Sequence, residues 1–198
     1  GWAPTLAVGL AGFATGGALR PLILAVRSRG WRGLVGRASG GMVVHVGVAI
    51  VAVALAISSS YVRQAEFSFD ELGQEVSFSG HTLIFGGVEV RELPEKTQTL
   101  VLINLDGQTF TPAINVFPFG GQAIGTPTTR STWWDDVQLS VLVVPDESGQ
   151  VTVVRATVQP LVWWLWVGGA VMAAGTLLAA IPERRRKKDD DVLVEATT

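Results

Sequence analysis

The stretch GGMVVHVGVAIVAVALAISSS, residues 40–60, decides the fold because it holds no Asp, Glu, Lys or Arg. A transmembrane helix needs about 20 such residues. Two further apolar stretches, residues 2–24 and 160–181, lie on either side of it. The whole chain has 16% charged residues and a mean hydropathy of +0.38, whereas soluble domains carry about 25% charged residues. We therefore predict three transmembrane helices, at 2–24, 40–60 and 160–181.

Clusters of basic residues predict how these helices are oriented. Four arginines fill residues 25–39 between the first two helices, and ERRRKK opens the tail at 183–188. Because Lys and Arg are enriched in cytoplasmic loops, we expect 25–39 to be a basic cytoplasmic loop and 182–198 a cytoplasmic tail, first basic and then acidic. Residues 61–159 are then extracytoplasmic. They carry five basic and twelve acidic residues, a charge that favours basic partners or simply keeps an exported domain soluble.

The third helix carries two features of its own. Its start is rich in tryptophan, which prefers the lipid headgroup layer. Its centre has a small-residue surface, which lets transmembrane helices approach each other closely. We therefore expect this helix to pack against other helices, in this chain or outside it. The residues concerned are Trp163, Trp164 and Trp166, followed by Gly168, Gly169, Ala173, Ala174 and Gly175.

Residues 61–159 change from continuous apolar sequence to alternation of apolar and polar residues, which is typical of strands. Asp106-Gly107 predicts a hairpin turn, and Gly86-Gly87 predicts a bulge or bend. A second turn is expected at 146–149, and a long loop at 117–134. The pattern favours an antiparallel β-barrel or sandwich, inserted between the second and third helices of an α+β membrane protein. Strands are predicted at 66–69, 75–79, 81–92, 97–106, 109–117, 137–144 and 151–158.

Several kinds of site are excluded by composition. The chain has no Cys and only two His, so a disulfide framework, a thiol nucleophile and a thiolate metal site are ruled out. Asp135 and Asp136 are adjacent, so in a strand they point to opposite faces and cannot act as an acid–base pair. We interpret His81 as a solvated or hydrogen-bonded surface histidine and Trp133-Trp134 as partly buried core aromatics. No phosphate loop or nucleic-acid stripe is present, so we expect no nucleic-acid partner.

His45 is the one ionisable residue within residues 40–60, and such residues are functional candidates by default. Its imidazole could hydrogen-bond a neighbouring helix, carry protons or ligate a metal. Gly41 precedes it by four residues and shares its helix face. With Gly40 and Gly47, this glycine would leave room for a flat macrocycle beside the ring. One His supplies one axial position, so a six-coordinate haem would need a second ligand from another helix.

The chain as a whole resembles the C-terminal part of the cytochrome c maturation protein F (CcmF) family. The order of elements is similar: a helix, an Arg-rich loop, a helix with an embedded His, an outer β domain and a Trp-rich final helix. The resemblance covers nearly all of residues 2–188. It rests on 41–48 (GMVVHVGV), 58–61 (SSSY), 80–85 (GHTLIF), 160–169 (PLVWWLWVGG), Met172-Ala173, Gly175 and the basic end at 183–188.

This resemblance implies a haem lyase component that attaches haem to apocytochrome c on the outer face of the cell's inner (plasma) membrane. It implies that His45 is an axial ligand to the iron of a b-type haem within the membrane. The family's second axial His and its substrate-haem ligands would lie upstream of Gly1, so the chain reads as a fragment that is not catalytic alone. Implied partners are apocytochrome c, a haem chaperone, a thiol-handling maturation protein, the remaining transmembrane helices and membrane lipid.

Some positions depart from the family pattern and bear on partner contacts. Arg130 follows Thr129 where the family has Glu, and Val137-Gln138 follows Asp136 where the family has Leu-Tyr. Gln159 stands where the family has Lys, and Trp163 where it has Arg. Two alternatives remain open. The chain could be a membrane-anchored assembly or adaptor module with a protein-binding β domain and no haem, or a haem exporter or lyase of another maturation system.

Overall fold

A computed structural model describes residues 2–118, 123–144 and 151–181. The chain divides into two compact units. The helical unit is built from Pro4–Val53 together with the segment that begins at Trp166, and the β unit is Ala54–Leu165. Each unit has its own packing, so each is considered separately.

Among the described residues, three helices are long and apolar enough to cross a membrane, judged by length and composition. The three predicted spans are therefore confirmed as apolar helices. Their bounds differ from the predicted ones, because the first helix continues into the arginine-rich segment and a short 3-10 helix, Gly30–Leu34, follows it. Arginine is a good helix former and keeps its charge in water on a long aliphatic stem. The helices are α1 (Trp2–Arg29), α2 (Arg37–Ser60) and α3 (Trp163–Ala180).

Within the helical unit, α2 and α3 pack through glycines spaced seven residues apart. A Cβ built at Gly47 would lie 2.8 Å from the Gly168 carbonyl oxygen, and one at Gly175 would lie 2.9 Å from the Gly40 carbonyl oxygen. These distances leave no room for a side chain, so the two backbones touch along this line. Gly36 joins the same contact, since its N–H donates to the Leu178 carbonyl oxygen at 3.1 Å.

The described part of the β unit contains two antiparallel sheets, as the alternation predicted. One sheet has four strands in the order β1-β10-β9-β8; the other follows the order β2-β3-β4-β6-β7, with β5 paired to β4. The strands are β1 (Arg63–Phe69), β2 (Glu75–Phe78), β3 (His81–Leu93), β4 (Lys96–Leu105), β5 (Gln108–Phe110), β6 (Ala113–Val116), β7 (Ala123–Thr126), β8 (Thr128–Ser131), β9 (Asp135–Val143) and β10 (Thr152–Pro160).

One apolar core lies between the inner faces of these sheets. Val101, Ile103 and Leu105 alternate along β4 and are completely buried, because successive strand residues point to opposite faces. Leu139 on β9 and Val154 on β10 are equally buried from the other sheet. The two sheets therefore share a single hydrophobic core.

The turns follow the predicted chemistry in two places. Asp106 and Gly107 have φ values of 51° and 87°, as a two-residue hairpin turn with both central residues left-handed requires. The register of β3 against β4 shifts between Phe85 and Gly87, which confirms the predicted bulge. The turn predicted at 146–149 lies outside the described residues.

Two predictions about the strands were wrong. The strand predicted at 109–117 is divided into β5 and β6 at Pro112, which has no N–H to donate to a ladder. The loop predicted at 117–134 contains β7 and β8, two short strands on different sheets. Pro127 separates them, and their lengths of four residues each gave too little alternation to recognise.

Candidate functional site

His45 lies on α2 with its side chain exposed on the surface of the helix. Its Nδ1 lies 2.7 Å from the carbonyl oxygen of Gly41, one turn earlier on the same face. The predicted sharing of a face by these two residues is therefore confirmed. A carbonyl oxygen can only accept a hydrogen bond, so Nδ1 carries the proton and donates it.

This hydrogen bond determines which nitrogen of the His45 ring is available to bind a metal. With the proton on Nδ1 of a neutral imidazole, Nε2 keeps its lone pair and is the free nitrogen. Metal-ligating histidines almost always donate their other ring N–H to a carbonyl or carboxylate, which fixes the tautomer and the orientation of the ring. His45 therefore has the tautomer and the support of a metal ligand. It supplies one nitrogen, and the chain's only other histidine, His81, is on a strand.

The glycines around His45 have two different roles. A Cβ added at Gly41 would meet nothing within 4 Å, so the helix surface beside the ring is open. The prediction that Gly40 and Gly47 also leave room for a macrocycle was wrong, because both face α3. A Cβ at Gly40 would collide with the backbone of Gly175 and Ala179, and one at Gly47 with Gly168 and Met172. These two glycines set the distance between helices instead.

The cleft between α1 and α2 does not include His45. It has a volume of about 310 Å³ and is lined by Pro21, Leu22, Ala25, Arg29, Ala38, Ser39 and Met42. The ring of His45 is thus open to surroundings that the described helices do not enclose.

The β unit holds a polar cluster that the sequence did not predict. His81 is not a surface residue, since only 11% of its side chain is exposed. Its Nδ1 lies 2.8 Å from Asp106 Oδ2 and its Nε2 lies 3.1 Å from Asp135 Oδ2. Arg130 Nη1 donates to Asp106 Oδ2 at 2.6 Å. Arg130 Nη2 also lies 3.1 Å from His81 Nδ1, so this ring nitrogen faces both a guanidinium donor and a carboxylate acceptor.

This cluster connects the two sheets. His81 begins β3 and Asp106 follows β4 in one sheet, whereas Arg130 on β8 and Asp135 on β9 belong to the other. No local pattern indicates this cluster, because Asp106 and Asp135 lie 25 and 54 positions from His81 in the chain. The cluster is a structural tie between sheets, and its one histidine is fully engaged.

Hydrogen bonding lowers the pKa of the Asp106 carboxyl. Burial alone would raise its pKa, but the Thr82 backbone N–H, His81 and Arg130 all donate to the carboxylate or lie beside it, and together they lower its pKa to about 2. Stabilisation of the charged form by several donors is the usual cause of such a shift. Asp106 is therefore a fixed anion at neutral pH and serves as the centre of the cluster.

Asp135 and Asp136 are adjacent at the start of β9, and their carboxylates have different hydrogen-bond partners. Asp135 Oδ1 accepts from the Thr132 hydroxyl at 2.9 Å, while its other oxygen faces His81. Burial raises the pKa of Asp136, and the charge of Asp135 also raises it, whereas a hydrogen bond with Ser131 lowers it in part. Within residues 2–118, 123–144 and 151–181, no group of three or more His, Cys, Asp or Glu could hold a metal ion.

The turn between β8 and β9 contains Trp133 and Trp134. They were predicted to be partly buried core aromatics, and this prediction was wrong. They are 56% and 72% exposed. The ring of Trp133 packs against Trp163 with centroids 3.9 Å apart, and its carbonyl oxygen accepts from the Trp164 indole N–H at 2.9 Å. The turn is thus attached to the first turn of α3.

Two comparisons with known proteins point in one direction. The chain is 26% identical over 144 residues to the cytochrome c-type biogenesis protein CcmF of Pseudomonas aeruginosa, a match that covers 70% of this chain and 22% of the relative. The solved structure of a cytochrome c heme lyase CcmF matches 92% of this chain with a TM-score of 0.71 and 25% identity. No family model matches the chain.

The chain therefore spans less than a third of either protein, 22% of the first and 31% of the second. Within that span the two matches agree, one by sequence and the other by the arrangement of helices and sheets. Together they confirm the resemblance to the CcmF family.

Proposed function

We propose that this chain is part of a haem lyase of cytochrome c maturation, in which His45 provides an axial nitrogen to the iron of a b-type haem within the bilayer. One observation carries the proposal. The Nδ1–H of His45 is held by the Gly41 carbonyl oxygen at 2.7 Å, so that in the neutral imidazole the lone pair is on Nε2 of an exposed ring. The names of the two similar proteins, one a biogenesis protein and the other a heme lyase, supply the context.

The residues of this chain would hold and orient the ligand. The Gly41 carbonyl fixes the His45 tautomer and limits rotation of the ring. The absence of a side chain at Gly41, where a Cβ would meet nothing within 4 Å, lets a flat group approach the helix. Contact of α3 with Gly40 and Gly47 fixes the position of α2. When bound, haem supplies an iron centre that accepts the imidazole lone pair and exchanges single electrons.

Other helices would complete such a site. His45 does not line the cleft between α1 and α2, so walls for a macrocycle come from transmembrane segments outside this chain. The second axial ligand comes from the same source. The isolated segment would accordingly bind haem weakly and would not catalyse attachment.

Topology is part of the same proposal. The arginines at 25–39 and the basic residues at 184–188 favour the cytoplasm under the positive-inside rule. The β domain, residues 61–159, would then lie on the extracytoplasmic side of the inner membrane. There it would work with apocytochrome c, a haem chaperone and a thiol-handling protein. The predicted division into helices 2–24, 40–60 and 160–181 and a tail at 182–198 belongs to this arrangement.

The test uses the complete protein, purified from membranes with its bound haem. His45→Ala should lower the haem content and weaken the low-spin b-type absorption and electron paramagnetic resonance signals, and added imidazole should restore them. His81→Gln is the matched control, because it removes the chain's other imidazole and should leave the spectrum unchanged. An unaltered spectrum in His45→Ala would support the adaptor interpretation, in which His45 only packs.

A further inference from the structure

The Trp133-Trp134 turn and the cleft beside it suggest a second site, independent of haem. The cleft has a volume of about 230 Å³ and is lined by Tyr61, Arg63, Ser79, Trp134, Asp135 and Pro160, among others. Tyr61 directly follows α2, and Pro160 comes three residues before α3. The cleft therefore lies where the chain leaves one apolar helix and enters the next. We propose that it binds the phosphate-bearing headgroup of a membrane phospholipid, with the Trp133-Trp134 turn inserted into the headgroup layer.

The charge of the cleft fits an anion. Arg63 makes no ion pair with a described residue, whereas Arg91, Arg130 and Arg155 are paired with Glu89, Asp106 and Glu66. The carboxylate of Asp135 also lines the cleft, but its oxygens accept from Thr132 and face His81. Arg63 is thus the uncompensated charge, and a guanidinium is well suited to phosphate oxygens.

The aromatic residues fit the same occupant. Trp134 is 72% exposed, which is unusual for an indole in water but typical of the interface between lipid and water. Its carbonyl oxygen accepts from the Leu161 N–H at 2.8 Å, just before α3. Thr132 and Asp135 close the turn by four hydrogen bonds between them, of 2.8 to 3.1 Å. The turn is therefore held rigidly beside the start of a membrane helix with its indoles outward.

The position of the turn can be measured with a nitroxide label in the complete protein, in nanodiscs of phosphatidylcholine and phosphatidylglycerol that contain a nickel-chelating lipid. This chain has no Cys of its own, so Trp134→Cys places the label, and Leu93→Cys at the far end of the β3–β4 hairpin is the control. Headgroup-bound nickel should relax the label at 134 several-fold more than at 93. Equal relaxation at the two positions would overturn the proposal.

The role of Arg63 is tested with spin-labelled phosphatidylglycerol in the same nanodiscs. Arg63→Gln should weaken its association about fivefold, since one basic residue near the surface contributes about that factor. Arg63→Lys should restore most of this association. Lys96 is a second base that makes no ion pair with a described residue, and Lys96→Gln should have no effect. Equal effects of Arg63→Gln and Lys96→Gln would contradict a headgroup site. Displacement of the lipid by inorganic phosphate would contradict it as well, because the free ion would then be the ligand. Neither result would bear on haem ligation by His45.

Discussion

Substitution of Gly168 by alanine should separate α2 from α3. The added Cβ would lie 2.6 Å from Val51 Cγ2 and 2.9 Å from the Gly47 carbonyl oxygen. Carbon atoms pack best at about 3.5–4.0 Å, so the helices must move apart by about 1 Å or Val51 must change rotamer. Overpacking of this kind costs about 1–3 kcal/mol. We expect the free energy of unfolding to fall by that amount.

The neighbouring Gly169 is the matched control, because a Cβ there would meet nothing within 4 Å. Both substitutions gain the same helix propensity, so their difference isolates the helix contact. Unfolding of the complete protein by dodecyl sulfate in mixed bicelles measures both values. Val51→Ala should recover part of the loss in Gly168→Ala, since it removes the closest atom. Equal stabilities of Gly168→Ala and Gly169→Ala would show that the contact between these helices is not tight, and would refute the reasoning.

Two further predictions concern the β domain. Hydrogen bonds lower the pKa of Asp106 to about 2, so its ionised form stabilises the fold above the unfolded pKa of about 4, and this stabilisation is lost as pH falls towards 2. The melting temperature of Asp106→Asn should therefore depend less on pH between 5 and 2 than that of the unsubstituted protein. An unchanged dependence would contradict the cluster. Gly107 has a φ of 87°, so Gly107→Ala should cost about 1–2 kcal/mol of stability. Gly125 has open space around it and no left-handed φ, so Gly125→Ala is the control and should cost little. Equal melting temperatures of the two variants would argue against the left-handed turn.

Features encoded locally could be predicted from the sequence. Continuous apolar runs predicted the three helices, alternation predicted the long strands β3 and β4, and Asp106-Gly107 predicted the turn between β4 and β5. The shared helix face of His45 and Gly41 was predicted as well, since residues four apart lie on one face of a helix. Each of these depends on residues close together in the chain.

Features that depend on distant residues could not be predicted. The seven-residue spacing of Gly40 and Gly47 indicates which face of α2 lacks side chains, but it does not indicate that α3 packs against that face. The burial of His81 depends on Asp106 and Asp135, which reach it only when the two sheets pack. Trp133 resembles a core aromatic until its attachment to Trp163 at the start of α3 is known.

The central claim is that Nε2 of His45 binds haem iron, and a density map of the complete protein purified with its haem tests it most directly. The account predicts a porphyrin beside the Gly41 face of α2, with continuous density from the iron to Nε2 and the Nδ1 hydrogen bond to the Gly41 carbonyl intact. A His45 ring surrounded only by aliphatic side chains, with the haem held by other residues, would contradict it.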